Sequence, residues 1–153
     1  MTTPSRLVIA SCDTVTRVQL DGAEVTLRLH AAVPPDPEIL RGIGTTSRLY
    51  VSLENMRGEL DATVLRIHIG ETYLGSIALY GLRIASAPRP DGTSAGLTSH
   101  LDITAHAGPI IAELLSAGAA VKLSLRPHQT LPQDVEISID RIRLDVESTD
   151  GRD

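Results

Sequence analysis

The chain of 153 residues has no tryptophan, no phenylalanine and only three tyrosines. Without large aromatics, stacking on sugar rings or on single-stranded bases loses its usual platform, and aliphatic side chains must fill the core. A single cysteine, Cys12, excludes an internal disulfide and fits a reducing compartment. Positive charge is outnumbered: the net charge is −5 with pI near 5.5, and no basic stripe emerges. Nucleic acid and anionic membrane surfaces are therefore not expected partners. No apolar run approaches the roughly 20 residues that span a bilayer. The start, Met-Thr-Thr-Pro-Ser-Arg, shows no signal-peptide core, so the expected location is cytoplasmic.

What is present is alternation of period two. Val25, Leu27 and Leu29 share one face, as do Leu49, Val51 and Leu53, then Leu65, Ile67 and Ile69, then Val121, Leu123 and Leu125. Further strands are expected near Leu7–Ala10, Val15–Leu20 and Leu101–Ala105, and Ile77–Ile84 is apolar on both faces like a doubly covered central strand. Near the end Val135, Ile137 and Ile139 take odd positions while Ile142, Leu144 and Val146 take even ones, which predicts a β-bulge at Asp140-Arg141. Asp21-Gly22 marks a tight hairpin turn, and Pro34-Pro35-Asp36-Pro37 and Pro88-Arg89-Pro90-Asp91-Gly92 mark loops. One helix is expected over Pro109–Ser116, with Pro109 at its first position and Gly118 at its stop. The pattern predicts one all-β domain over residues 1–147: a two-sheet antiparallel β-sandwich of jelly-roll or Greek-key type with one short helix near 109–116, and a disordered tail over 148–153.

Residues that could carry chemistry are scattered. His30, His68, His100, His106 and His128 form no metal-binding pair at helical or strand spacing, and His100 and His106 lie roughly 20 Å apart along an extended strand. Cys12 has no local motif, no Gly-x-Ser-x-Gly elbow surrounds any serine, and Arg41-Gly-Ile-Gly44 lacks the strand–helix unit of a nucleotide loop. Glu54, Glu59 and Asp61 cluster in what reads as a polar turn with Arg57 among them. No catalytic residue, metal ligand or cofactor is assigned, and a non-enzymatic domain is expected.

The segment Leu53-Glu-Asn-Met-Arg-Gly58, holding the only asparagine, followed by Asp61-Ala-Thr-Val-Leu-Arg-Ile67, resembles the C-terminal β-sandwich domain of bacterial tyrosinase-family (polyphenol oxidase, type 3 copper) proteins. In that family the corresponding run is leucine-glutamate-asparagine-isoleucine-arginine-glycine. Gly75-Ser-Ile-Ala-Leu-Tyr-Gly-Leu-Arg83 and Leu131-Pro-Gln-Asp-Val-Glu-Ile-Ser-Ile-Asp-Arg-Ile142 resemble its later strands in order. The resemblance covers about Leu49 to Val146. The copper-binding helices of that family have no counterpart here, so the resemblance implies no oxidase activity. It implies an accessory domain that binds, shields or helps mature a tyrosinase-like copper oxidase partner. Glu54, Asn55, Arg57 and Gly58 would be its marker turn, and Tyr73 the candidate for a side chain plugging the partner's copper site. Two other readings stand beside it: a module binding carbohydrate or another small ligand, and a small metalloenzyme built from the dispersed histidines. A homodimer through an exposed sheet face is compatible with all three.

Overall fold

A computed structural model describes residues 6–30, 42–60, 63–115 and 120–148. The described strands are β1 (Arg6–Cys12), β2 (Thr16–Val18), β3 (Ala23–Leu29), β4 (Ser47–Arg57), β5 (Val64–Ile69), β6 (Thr72–Ala78), β7 (Leu97–Asp102), β8 (Ala120–Pro127) and β9 (Ile137–Ser148). Among the described residues two helices accompany them, α1 (Leu82–Ala85) and α2 (Ala107–Leu114), the second entered through a 3₁₀ turn at Thr104–His106. The all-β expectation with a short helix is met. The strands do not separate into two hydrogen-bonded sheets, however. They follow one antiparallel path, β6-β5-β8-β3-β1-β9-β4-β7, with β2 added to β9.

That path rolls back on itself. Gly75 on β6 faces Leu101 on β7, so closely that a Cβ on Gly75 would lie 2.9 Å from the leucine Cδ1. The two ends of the strand order therefore pack together around one core, the sheet's inner faces enclosing Leu53, Met56, Leu65, Ile67, Leu123, Ile139, Ile142 and Leu144. No aromatic side chain belongs to this core. Alternation puts each aliphatic row inward and each polar row outward, which is why β3, β4, β5 and β8 were legible from period two alone.

The phase slip in β9 is real but is not a bulge of that strand against β4. The β4–β9 register runs unbroken through Leu53↔Ile142, Glu54↔Arg141 and Met56↔Ile139. Instead β4 slips with it: Leu53 and Met56 both point inward, three residues apart. Asn55 takes up the slip in the left-handed conformation, φ 54°. The shift falls on the outer neighbours, between Leu53 and Met56 against β7, and at the break between β1 and β2 on the far side of β9. One kink thus runs across neighbouring strands, from β7 through β4 and β9 to the break between β1 and β2. Thr98 Oγ1 accepts the Asn55 N–H at 3.1 Å, and Gly96 lets β7 approach, since a Cβ there would sit 2.9 Å from the Asn55 Cα.

Several expected boundaries move. Glu54, Asn55 and Arg57 lie within β4 rather than in a turn, because the Glu54 and Arg57 side chains and the Asn55 backbone find partners on neighbouring segments; only Gly58 follows the strand. Ile77–Ile84 is no central strand: β6 ends at Ala78, at one end of the order, and Gly81 at φ 82° turns the chain into α1, leaving Tyr80 exposed. The strand expected at Leu101–Ala105 is instead Leu97–Asp102, where the Asp102 carboxylate accepts the Thr104 N–H and starts the 3₁₀ turn. The helix begins at Ala107, so Pro109 is its third residue; the first-turn N–H groups lack intrahelical partners, and proline is tolerated there. Ser116 and Gly118 fall outside the described residues, as do Pro34–Pro37, Asp61 and residues 149–153 of the tail. Gly22 does form its turn, donating to the Gln19 carbonyl at 2.9 Å, but beyond a single bridge β2 pairs with β9 while β3 pairs with β1 and β8.

Candidate functional site

The outer face of β1, β9, β4 and β7 carries a continuous polar strip. Its register sets Arg6 beside Glu147, Tyr50 beside Asp145, Ser52 beside Arg143 and His100, and Glu54 beside Arg141. Arg6 binds Glu147 at 2.8 Å, Arg143 binds Glu54 at 3.2 Å, Arg141 binds Asp13 at 2.8 Å, and Arg48 binds Asp102 at 3.0 Å. Arg6 also lies over the Tyr50 ring, 5.2 Å from its centroid.

At the centre Asp145 and Ser52 are both completely buried. Ser52 Oγ lies 2.6 Å from Asp145 Oδ2 and 2.7 Å from His100 Nδ1. These are the residue types of a hydrolase triad in the wrong order. In a triad the histidine stands between serine and aspartate and takes the serine proton. Here the serine stands in the middle, and its one hydrogen goes to the carboxylate. His100 Nδ1 is shared between Ser52 Oγ and the Arg6 guanidinium, whose Nη1 lies 3.3 Å away. This serine is shut off from solvent. Burial and the Arg6 guanidinium hold the His100 pKa below the ordinary histidine value, partly opposed by Asp145. Asp145 Oδ1 makes only an off-axis ion pair, 3.4 Å from Arg143 Nε, and neither atom has a hydrogen-bond partner among the described residues.

A cleft of about 540 Å³ adjoins this strip, lined by Ser11, Asp13, Thr26, Arg28 and His30 among others. Ser11 Oγ is 2.7 Å from His30 Nε2, yet no carboxylate is bonded to that imidazole among the described residues. Cys12 is half-buried at the cleft edge, 3.3 Å from Thr14 Oγ1.

The remaining expected positions lie apart. Tyr73, half-exposed near the tip of the β5–β6 hairpin, tilts against His68 with ring centroids 5.3 Å apart, and its hydroxyl bonds Ser76 Oγ. Arg57 is a clamp: Nε donates to Ser94 Oγ at 2.7 Å, Nη2 to the Ser94 carbonyl at 2.9 Å and Nη1 to Asp140 at 2.9 Å. The Gly58 N–H donates to Ser86 Oγ. Gly42 closes its loop by accepting from Thr45, Thr46 and Ser47. His106 ends the 3₁₀ turn and His128 follows β8. Among the described residues no three His, Cys, Asp or Glu side chains gather as a metal site, and no helix is long and apolar enough to cross a membrane.

A family model described as "Domain of unknown function (DUF7868)" matches residues 2–147. The chain belongs to the DUF7868 family. The matched span contains every residue of the strip, from Arg6 to Glu147. No curated protein matches the chain. Among solved structures it is similar to the C-terminal CBM6 of LamC, a marine laminarinase from Zobellia galactanivorans, with TM-score 0.39 and 11% identity, over 93% of this chain and 98% of that one. It is also similar to the acetyl xylan esterase Est2A from the rumen bacterium Butyrivibrio proteoclasticus, with TM-score 0.34 and 11% identity over 99% of this chain; the match spans 33% of the esterase.

Sequence reasoning missed Arg6, Ser52, Arg143 and Asp145. Their signal was present in the polar phase of β4 and β9, where Arg141, Arg143, Asp145 and Glu147 alternate with the core row Ile142, Leu144 and Val146. What period two did not reveal is which strand lies beside which.

Proposed function

We propose that the chain is a non-catalytic binding module whose polar strip across β1, β9, β4 and β7 holds a neutral, polyhydroxylated ligand of the carbohydrate class. One observation carries the reading: the buried Asp145–Ser52–His100 chain anchors the centre of a face whose charges are already paired. A face of internally matched arginines and carboxylates gains little from a further ion. Each hydroxyl of a sugar both donates and accepts, so it can bridge a guanidinium and a carboxylate without upsetting their balance. The side chains are held by adjacent strands about 4.8 Å apart, which lowers the ordering cost of binding. Stacking contributes little, because Arg6 occupies a face of the Tyr50 ring. Affinity would come from polar contacts centred on the exposed His100 ring.

The test is calorimetry against neutral oligosaccharides with His100→Ala and Arg6→Ala. Specific binding to wild type that weakens about tenfold in both variants, with unfolding midpoints retained, is the expected result. Absence of binding across neutral glycans, or binding indifferent to both variants, would refute it.

A second reading follows the resemblance to type 3 copper accessory domains, and the half-exposed Tyr73 near a hairpin tip favours it. There the hairpin would insert into an oxidase partner. Co-expression with a tyrosinase-like catalytic domain should give a complex lost in Tyr73→Ala; consistent failure to co-purify removes this reading.

A further inference from the structure

On the opposite half of the sheet the charge balance is reversed. Arg66 on β5 and Arg126 on β8 are directly opposite one another, both on the outer face and both exposed. Like charges in that position repel, and such pairs usually find a carboxylate. Among the described residues neither guanidinium makes an ion pair, although the protein is acidic overall and Asp21 and Glu71 lie in neighbouring turns. His68 stands on the same face, its buried Nδ1 making no well-aligned hydrogen bond among the described residues beyond a weak pull from the Arg66 backbone. Burial first, then Arg126 and Arg66, push the His68 pKa down, so the ring adds a neutral donor rather than a third charge. Tyr73 leans against His68, and its hydroxyl reaches Ser76, the cross-strand neighbour of Arg66. Arg66, His68 and Tyr73 line a shallow depression of about 240 Å³.

We infer that this depression is an oxyanion site, in which Arg66, with its cross-strand neighbour Arg126 at the margin, binds a carboxylate, sulfate or phosphate group while His68 and Tyr73 supply neutral hydrogen bonds. Two guanidiniums with no acid between them are complementary to a planar or tetrahedral oxyanion, whose charge removes the repulsion they otherwise suffer. Tyr73 here is a wall of the site. The assignment is independent of the polar strip, which is electrically matched and lies on other strands.

The test is a titration of the whole protein with sodium sulfate and, separately, sodium glucuronate, followed by amide and side-chain NMR at constant ionic strength. Saturable shifts confined to Arg66, His68, Tyr73 and Arg126 are expected, with affinity falling about tenfold in Arg66→Ala and in Arg126→Ala. Saturation by glucuronate alone would identify an organic carboxylate as the occupant, and saturation by both would identify the bare oxyanion. A second readout has the opposite sign from loss of an ordinary stabilising contact: in chloride buffer each alanine variant should melt at or above the wild-type temperature, and sulfate should raise the wild-type midpoint more than that of either variant. Shifts linear in anion concentration, binding unchanged in both variants, or equal sulfate stabilisation of all three proteins would overturn the site.

Discussion

At the scale of single residues, Asn55 shows how one side chain can hold a fold feature. Its φ of 54° is the left-handed conformation that asparagine tolerates and β-branched residues do not. Asn55→Val should cost about 1–3 kcal/mol, whereas Asn55→Gly should fall within about 0.5 kcal/mol of wild type, both measured by urea unfolding. A valine variant of wild-type stability would show that the kink does not depend on this conformation. The histidines give a second test. His68 and His100 both have folded pKa values lowered from 6.5. The unfolded chain then binds protons first, so their contribution is intact above about pH 6.5 and declines as pH falls from there to the folded values. Asp102 acts lower. Burial raises its pKa, but the hydroxyl and N–H of Thr104 and the Arg48 guanidinium outweigh that, and the net shift is downward. Its contribution is present above about pH 3.9 and lost as pH falls through the depressed folded value. Urea midpoints across this range should decline in two separable steps, and His100→Gln should shrink the upper one. A flat profile between about pH 7 and 5 would contradict the histidine shifts.

At the scale of elements, two contacts decide whether the sheet holds its curl. Gly75 admits Leu101 at the meeting of β6 and β7, in a backbone conformation, φ 151°, that side chains rarely adopt. Gly75→Val should destabilise by more than about 2 kcal/mol through both overpacking and backbone strain. Arg57 ties β4 to Asp140 of β9 and to Ser94 ahead of β7, and Arg57→Ala should lose about 1–3 kcal/mol by the same urea measurement. Strands whose aliphatic rows face the core were visible as alternation, and so was the slip between Ile139 and Ile142. The polar run Glu54–Arg57 was not visible as strand, because its partners Arg141, Arg143, Asp140 and Ser94 lie 37 to 89 positions away along the chain and meet it only in the folded register. Similarly, Leu79 and Leu82 are buried through a turn rather than a strand, so their apolar spacing imitated β structure until Gly81 is placed. The strip at Ser52, His100 and Asp145 and the Arg66–Arg126 pair are properties of adjacency, which no local pattern encodes.

At the scale of the whole molecule, the aliphatic core joins all the described strands in a single cluster, and its pairings are mostly distant in sequence. Long-range pairing must be closed before it is rewarded, so folding should be slow, with relaxation in milliseconds to seconds rather than microseconds. Stopped-flow refolding followed by far-UV circular dichroism would measure this, and microsecond relaxation would show that local contacts dominate instead. Since the strands share one core, equilibrium unfolding should be a single transition by every probe.

Strand β9, the last of the described elements, lies between β1, the first, and β4. During synthesis at about 5–20 residues per second, β1 therefore waits many seconds for its neighbour on that side, and the middle of the sheet is assembled last. Until β9 emerges, the facing edges of β1 and β4 are open strands on the ribosome. The nascent chain is in that interval a natural client for chaperones, and a truncation just before Ile137 should produce aggregate rather than a smaller folded domain.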